Sequence, residues 1–387
     1  MNLIKNTLFI AGLATVLTAR SADLMVAPGG SGNIHPTISS AIAAANNGDR
    51  ILIVPAVYSG NITINKNLTL LSNSANQRYT VSGNVLLSIP AGQTKLTISS
   101  MWLTGELTHN MNSVTGAIRM IDCVVAGQVS LGGLNDLTSY LHRDSLLSVV
   151  SLCNGVVTGC HLTGTNSPNG VIFDMAVNVV GGSLRFIGNV VGRGTTTTTG
   201  TRVWLDPRGP IEVRNNLFVT NTATYTSPFV YFENSNMGPT STPCVFENNT
   251  MIHAGTGNPT FVQVVNTWPA LLLSIRNNFF VGSVQPLLTS GTSTMVAYNV
   301  ASLSLTQVNQ TTGAPSPGSP AINAGDPDAS FTDLDLSRND AGCYGGSYSR
   351  DNFDDPMTTA ATVLFLEAPR RTQAAWGMQL KADGFDR

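Results

Sequence analysis

Charged side chains are scarce in this sequence of 387 residues. Asp, Glu, Lys and Arg make up 11% of the chain, whereas an ordinary soluble domain has about 25%. Four lysines and a net charge of −2 leave no basic face for nucleic acid, and a coiled coil needs far more Glu, Lys and Arg. Repeated apolar runs of about 20 residues are also missing, which excludes a membrane protein with several spans. The composition therefore indicates a β-rich extracellular protein.

Cysteine is scarce as well, with five residues, so the chain is not a disulfide scaffold. The first 22 residues have the pattern of a signal peptide. Lys5 precedes an apolar run over residues 7–19, which is too short to span a membrane, and small residues for a cleavage site follow. We therefore expect an exported chain without a transmembrane span after signal removal.

One helix is predicted near the start of the mature chain, over residues 36–47. Its apolar residues Ile38, Ala41, Ile42 and Ala45 recur at helical spacing, and Asn47-Gly48 is a typical helix end. Short strand patterns separated by turns follow over about 300 residues without another convincing helix.

The middle of the chain repeats one pattern: an apolar residue, two variable residues, a small residue or Asn, and further apolar residues. Such a repeat with irregular inserts suits solenoid coils of about 20 residues plus loops. Stacked coils lie about 4.8 Å apart, so equivalent positions form a ladder. Asn tolerates the left-handed backbone between two strands. We expect its side chains to bond along the stack at Asn189, Asn216, Asn249, Asn278 and Asn299.

Two segments carry a family resemblance. The helix followed by Gly48-Asp49-Arg50-Ile-Leu-Ile-Val-Pro55, together with the Asn-Asn repeats, resembles the pectin-lyase-like superfamily. Residues 319–327 (Ser-Pro-Ala-Ile-Asn-Ala-Gly-Asp-Pro) and 333–346 resemble the closing motif of bacterial surface proteins with a "choice-of-anchor" ending. The resemblance implies an all-β fold, namely a right-handed parallel β-helix (solenoid) with an N-terminal capping α-helix and a short C-terminal extension. It also implies that the protein is secreted or lies at a bacterial cell surface.

The expected division of the chain has three parts. Residues 1–22 are the signal peptide, and residues 23–348 are the β-helix with its helix cap and an Asp-rich closing segment. Residues 349–387 form the C-terminal extension, which has the pattern of a β-hairpin.

The superfamily includes enzymes, each of which needs particular catalytic groups. The repeats contain no adjacent Asp pair of the kind a hydrolase needs, and Gly60 stands where the methylesterase motif has Glu. A lyase acting on a uronate-containing glycan is the least excluded enzyme. Strand alternation predicts that Arg202, Trp204 and Asp206 share a face. The candidate catalytic residues are Arg202, Asp206 and Arg208, and the candidate substrate-binding residues are Trp204, Glu212 and Arg214. Ordinary surface ion pairs are the alternative interpretation.

Three further patterns have alternatives. Arg214, Glu247 and Arg276 precede the ladder on consecutive coils and are expected to stack outward, either as structural ion pairs or as a shallow binding strip. Cys123 and Cys160 occupy ladder positions, which allows either a disulfide bond or packing as two small apolar side chains. The aspartates of the closing segment allow either calcium or a solvated turn, and no other cofactor is indicated; they are Asp326, Asp328, Asp333 and Asp335.

The sequence thus favours a non-catalytic module, structural or carbohydrate-binding, whose partners are extracellular polysaccharides or cell-envelope components. A polysaccharide lyase acting through the region from Arg202 to Arg214 is the alternative, and whether the chain is an enzyme stays open.

Overall fold

The chain winds through three parallel sheets in succession, and each turn of the winding is one coil of a parallel β-helix. A computed structural model describes residues 21–133, 136–167, 171–175, 183–192, 202–205, 209–220, 225, 227–234, 244–266, 272–283, 285–290, 294–353, 362–367 and 381–385. Within these residues, no helix is long and apolar enough to cross a membrane. The predicted signal peptide lies almost wholly outside them.

Sheet A has 13 described strands, in the order Ile34–His35, Asp23–Val26, Arg50–Ile53, Thr69–Ser72, Gly92–Ser99, Val114–Ile121, Leu137–His142, Gly155–Thr158, Leu184–Ile187, Ile211–Arg214, Cys244–Glu247, Leu273–Arg276 and Thr294–Ala297. Sheet B has 11 described strands, Val57–Ser59, Tyr79–Ser82, Met101–Leu103, Val124–Val125, Ser145–Leu146, His161–Leu162, Val190–Val191, Leu217–Thr220, Thr250–His253, Phe279–Gly282 and Val300–Ser302. Sheet C has 10, Ile62–Ile64, Val85–Leu87, Leu107–His109, Val129–Leu131, Val150–Leu152, Phe173–Asp174, Val203–Leu205, Val230–Asn234, Thr260–Asn266 and Gln285–Ser290. Inward side chains alternate with outward ones along these strands, which gives one continuous apolar core.

The single described α-helix, Ile38–Ala44, is shorter than predicted. Thr37 caps its N-terminus, because the Thr37 hydroxyl accepts the Ser40 N–H at 3.1 Å. Lys66 Nζ donates to the carbonyl oxygens of Ile42, Ala43 and Ala45 at 2.6–2.9 Å, which satisfies the C-terminal end. Ile38, Ala41 and Ile42 are buried in the main core, so the apolar face of the helix packs against the first strands.

The repeated asparagines form a hydrogen-bonded column inside the β-helix. Asn216 Oδ1 accepts both the backbone N–H and the Nδ2 of Asn189 at 2.9 Å. Asn216 Nδ2 donates to Phe186 O at 2.8 Å and to Asn249 Oδ1 at 2.9 Å. The same bonds continue from Asn249 through Asn278 to Asn299. We call this column the asparagine ladder.

The left-handed backbone lies one residue before the ladder, not on it as expected. Asn215, Asn248 and Asn277 have φ of 53–57° at the corner between sheets A and B, and their side chains point outward. The second Asn of each Asn-Asn pair points inward to the ladder. The first Asn of each pair therefore forms the left-handed corner and the second joins the ladder, because the corner residue does not also face the core.

Cys123 and Cys160 are not on neighbouring coils, so of the two alternatives the disulfide bond is wrong. Strand Val124–Val125 pairs with Ser145–Leu146, which in turn pairs with His161–Leu162. Asp144 is thus the rung between Cys123 and Cys160. Two coil steps of about 4.8 Å exceed the Cα separation that a disulfide spans. Both thiols are free and buried.

Each cysteine replaces an asparagine as a hydrogen-bond donor. Cys160 Sγ lies 3.4 Å from Leu141 O, and Cys123 Sγ lies 3.5 Å from Ile98 O. These carbonyls belong to the residue three before the preceding rung, the same position that Asn216 Nδ2 reaches at Phe186. A thiol is a weak donor of suitable size for this place.

The Asp-rich segment lies along the side of the coils, not across the last one as predicted. We call residues 321–353 the strap. Asn277 Oδ1 accepts the Asp326 N–H at 2.8 Å, Asn248 Nδ2 donates to Asn339 Oδ1 at 2.9 Å, and Asn215 Nδ2 donates to Gly345 O at 2.6 Å. The strap therefore runs back down the stack along the outward asparagines. At the far end of the β-helix, Val296 of the last coil stays half exposed, whereas Ile275 one coil earlier is buried.

Beneath the strap lies a second apolar cluster on the outer face of sheet B. Ala341 and Cys343 of the strap pack there. The sheet contributes its outward apolar residues Val190, Leu217, Val219, Ile252, Phe279 and Val281. Burial of these side chains holds the strap to the coils, since apolar burial contributes about 25 cal/mol per Å².

The end of the strap packs against corners between sheets A and B at which the corner residue is glycine. Gly188 has φ +69°, and a Cβ there would lie 2.2 Å from Phe353 Cδ2. We expect Gly188→Ala to lower the free energy of unfolding by about 1–3 kcal/mol, through backbone strain and displacement of the Phe353 ring. Urea denaturation measures the change.

A second background separates the two causes. In a Phe353→Ala background, Gly188→Ala should be less costly because only the strained φ remains. An equal penalty in both backgrounds would show that Phe353 does not pack on this corner.

The C-terminal extension contains the strands Thr362–Glu367 and Lys381–Phe385, which pair antiparallel with one irregularity between Val363 and Phe365. Val363 and Leu366 are exposed.

Candidate functional site

The predicted catalytic cluster is divided by the fold. Trp204 lies on the outer face of sheet C, while its neighbours Val203 and Leu205 point into the core. Arg202 is 1% exposed, and its Cζ lies 4.7 Å from the centroid of the Tyr225 ring. The expectation that Arg202 and Trp204 share a face is wrong, because Arg202 precedes the strand and so escapes its alternation. Burial also lowers the pKa of the Arg202 guanidinium.

Asp206 and Arg208 lie outside the described residues. Of the three candidate catalytic residues, the structure therefore places only Arg202, and it places that side chain inside the protein.

Glu212 and Arg214 belong to sheet A, on a different face from Trp204. Glu212 Oε2 pairs with Arg185 Nε at 3.3 Å, and Arg214 Nη1 pairs with Glu247 Oε2 at 2.7 Å. Glu247 also pairs with Arg276, whose Nη1 lies 3.2 Å from Asp326 Oδ2. The column of Arg214, Glu247 and Arg276 thus stacks outward and extends to the strap. Each pair of opposite charges on neighbouring strands stabilises the fold by about 0.2–1 kcal/mol, so the role of this column is structural.

Trp204 belongs to a different column, formed by outward residues of successive strands in sheet C. The Cα register pairs Ser151 with Asp174, Asp174 with Trp204, Trp204 with Tyr231, and Tyr231 with Gln263. We call these five residues the sheet C column. The rings of Trp204 and Tyr231 meet edge to face, with centroids 5.0 Å apart and an angle of 62°. This geometry is favourable for aromatic pairs and fixes both rings on an exposed face.

A groove of about 580 Å³ lies beside Asp174, at the corner between sheets B and C. At the floor of the groove the backbones of neighbouring coils are closely packed. A Cβ added to Gly127 would lie 2.4 Å from Gly105 O of the preceding coil. Asn166 Nδ2 donates to Ala126 O at 2.7 Å and so is held in place. The polar residues that line the groove are Glu106, Gln128, Ser148, Asn166 and Asp174.

The groove is negatively charged. Burial raises the pKa of the Asp174 carboxyl above its ordinary value of 3.8. Neither Asp174 nor Glu106 pairs with a cation among the described residues, and no described Lys or Arg lines the groove. Carboxylates accept hydrogen bonds, amides donate and accept them, and the nearby rings offer an apolar surface. The arrangement can therefore bind a hydroxyl-rich molecule.

The sequence pattern identified Trp204 but missed Asp174, Tyr231 and the groove. The sequence does contain a signal for them, since each residue of the sheet C column stands between two inward apolar residues. The recurring triplets are Val150-Ser151-Leu152, Phe173-Asp174-Met175, Val203-Trp204-Leu205, Val230-Tyr231-Phe232 and Val262-Gln263-Val264.

The four aspartates named as candidate calcium ligands do not converge on one site. Asp326 pairs with Arg276, Asp328 accepts the Ser330 N–H, and Asp335 accepts the Ser337 N–H. Asp333 accepts N–H groups of Asp340 and Gly346, while burial, with Asp340 and Asp335 nearby, raises its pKa to about 6. No three His, Cys, Asp or Glu residues in the described part of the chain form a metal-binding group. These carboxylates instead organise turns of the strap.

No family model matches the chain, and no curated protein matches it in sequence. A pectate lyase and a polysaccharide lyase are among the solved structures that are similar. The pectate lyase Pel9A gives a TM-score of 0.41 with 14% identity, covering 84% of this chain and 97% of the other. The PL6 family polysaccharide lyase Pedsa3628 from Pseudopedobacter saltans gives a TM-score of 0.30 with 11% identity, covering 71% and 92%. Both likenesses concern the fold, and neither carries an argument about activity.

Proposed function

We propose that this protein is a secreted or cell-surface module that binds a polysaccharide along the sheet C column and the adjoining groove, without catalysis. The observation that carries the proposal is the rigid edge-to-face pair of Trp204 and Tyr231, flanked in register by Asp174 and Gln263. Aromatic rings with a few convergent polar groups are typical of small-molecule and sugar sites.

The spacing of the column supports an extended ligand. Neighbouring strands lie about 4.8 Å apart, which is comparable to the length of one sugar residue. A glycan lying parallel to the axis of the β-helix can therefore meet one side chain of the column per sugar. Strands hold these side chains more rigidly than loops do, so little conformational entropy is lost on binding.

Replacement of Trp204 tests the site. We expect Trp204→Ala to weaken binding of the best oligosaccharide from a glycan array by at least about tenfold, or about 1.4 kcal/mol, because the sugar loses its stacking surface. Isothermal titration calorimetry measures the affinity.

Trp102→Ala is the matched control. Trp102 is half exposed on sheet B, away from the column, and its removal should leave the affinity unchanged. Equal effects of the two variants, or no glycan bound at all, would contradict the proposal and leave a purely structural role. Release of unsaturated sugar ends with ultraviolet absorbance would instead indicate a polysaccharide lyase.

A further inference from the structure

We infer that the groove takes glycans that are uncharged or carry amino groups, and that it discriminates against uronate polymers. The inference rests on the proposed function, and it names the class of ligand. It follows from the charges that line the groove, with Asp174 and Glu106 as the residues that determine specificity.

Asp174 belongs to both parts of the site. It lines the groove, and its Cα is in register with Trp204 on the next strand. A sugar stacked on Trp204 therefore lies about one strand spacing from the Asp174 carboxylate. Glu106 is exposed on the same groove, so a glycan that continues past Asp174 meets a second carboxylate.

These two carboxylates carry charge that the described protein does not neutralise. Elsewhere the carboxylates of Glu212, Glu247 and Asp326 have arginine partners at 2.7–3.3 Å. The groove lacks such a partner among its described lining residues. Arg185, Arg214 and Arg276 of sheet A are therefore held in structural ion pairs, while the groove presents negative charge to its ligand.

This arrangement favours hydrogen-bond donors. A sugar hydroxyl donates to a carboxylate in a charge-assisted bond, and an ammonium group adds direct attraction. A uronate polymer carries a carboxylate on every sugar, so each sugar near Asp174 or Glu106 brings like charges together. Part of this repulsion is screened because the groove is open to water, and the discrimination should weaken at high salt.

Three β-1,4-linked hexamers of similar shape test the inference: cellohexaose, fully deacetylated chitosan hexamer and glucuronan hexamer. At low ionic strength and mildly acidic pH, calorimetry should show that the chitosan hexamer binds at least as tightly as cellohexaose. The glucuronan hexamer should bind at least tenfold more weakly, and added salt should narrow this difference.

Charge-neutral variants localise the effect. Asp174→Asn combined with Glu106→Gln should reduce the ratio of cellohexaose to glucuronan affinity by at least threefold, and Glu106→Gln alone, at an exposed position, should reduce it in part. Tight glucuronan binding by the wild type, or an unchanged ratio in the variants, overturns the inference. If that binding still depends on Trp204, the proposed function stands while the inference fails. If no hexamer binds, both fail.

Discussion

Asn216→Leu is expected to lower the free energy of unfolding by about 4 kcal/mol, because it leaves several buried polar groups without partners. Asn216 makes four ladder bonds, two accepted from Asn189 and two donated to Phe186 O and Asn249 Oδ1. Leu has a similar volume, so the loss is one of hydrogen bonds more than of packing. Urea denaturation followed by circular dichroism measures it.

The control is Asn110→Leu, at an exposed asparagine whose side chain makes no described hydrogen bond. This change should alter stability by less than about 0.5 kcal/mol. If Asn216→Leu were as mild as the control, the ladder amides would have to be satisfied by something other than each other.

Asp144→Asn is expected to stabilise the protein by about 1–3 kcal/mol at neutral pH, because an amide completes a rung that a carboxylate interrupts. Asp144 Oδ1 accepts the Cys123 N–H at 2.7 Å, but Oδ2 is buried without a partner. On the asparagine rungs Nδ2 donates from this place to the carbonyl three residues before the preceding rung, which here is Met120 O. Asn at position 144 can make that bond at any pH, whereas the Asp144 carboxyl must hold a proton to donate it.

The gain should depend on pH. Burial raises the pKa of the Asp144 carboxyl well above its ordinary value of 3.8. A carboxyl with a raised pKa contributes stability that is fully present below the unfolded pKa and is lost as pH rises through the folded pKa. The advantage of Asp144→Asn over the wild type should therefore be small near about pH 4 and grow toward about pH 7.

Asp122→Asn is the matched control. Asp122 is partly exposed and pairs with Arg78 at 2.8 Å, so its removal should cost about 0–1 kcal/mol and bring no gain at neutral pH. A destabilising Asp144→Asn at neutral pH would mean that the carboxylate has an essential partner.

The register of successive coils could be predicted where identical residues stack. Three coils could be recognised by their ladder residues, because each rung uses the same side-chain amide; these residues are Asn189, Asn216 and Asn249. The coil of Asp144 was missed, since a carboxylate is not expected in an apolar interior. That omission placed Cys123 next to Cys160, which made a disulfide one of the two alternatives.

The site was predictable only in part, because its residues meet through the register of strands and not through the order of the chain. The alternation of side chains along one strand predicted that Trp204 points outward. Tyr231 and Asp174 are its neighbours only through strand pairing, and loops of unequal length separate these strands in the sequence. The strap was misplaced for a similar reason, since Asn215 and Gly345 lie 130 residues apart.

The strap also changes how the solenoid should come apart. In a stack of coils without a strap, each coil contacts only the coils directly above and below it. Single coils can therefore unfold from the ends. The bonds of the strap to Asn277, Asn248, Asn215 and the Gly188 corner tie these coils to one another beyond nearest neighbours. The C-terminal half should consequently open as one cooperative block, while the coils before Gly159 fray one by one.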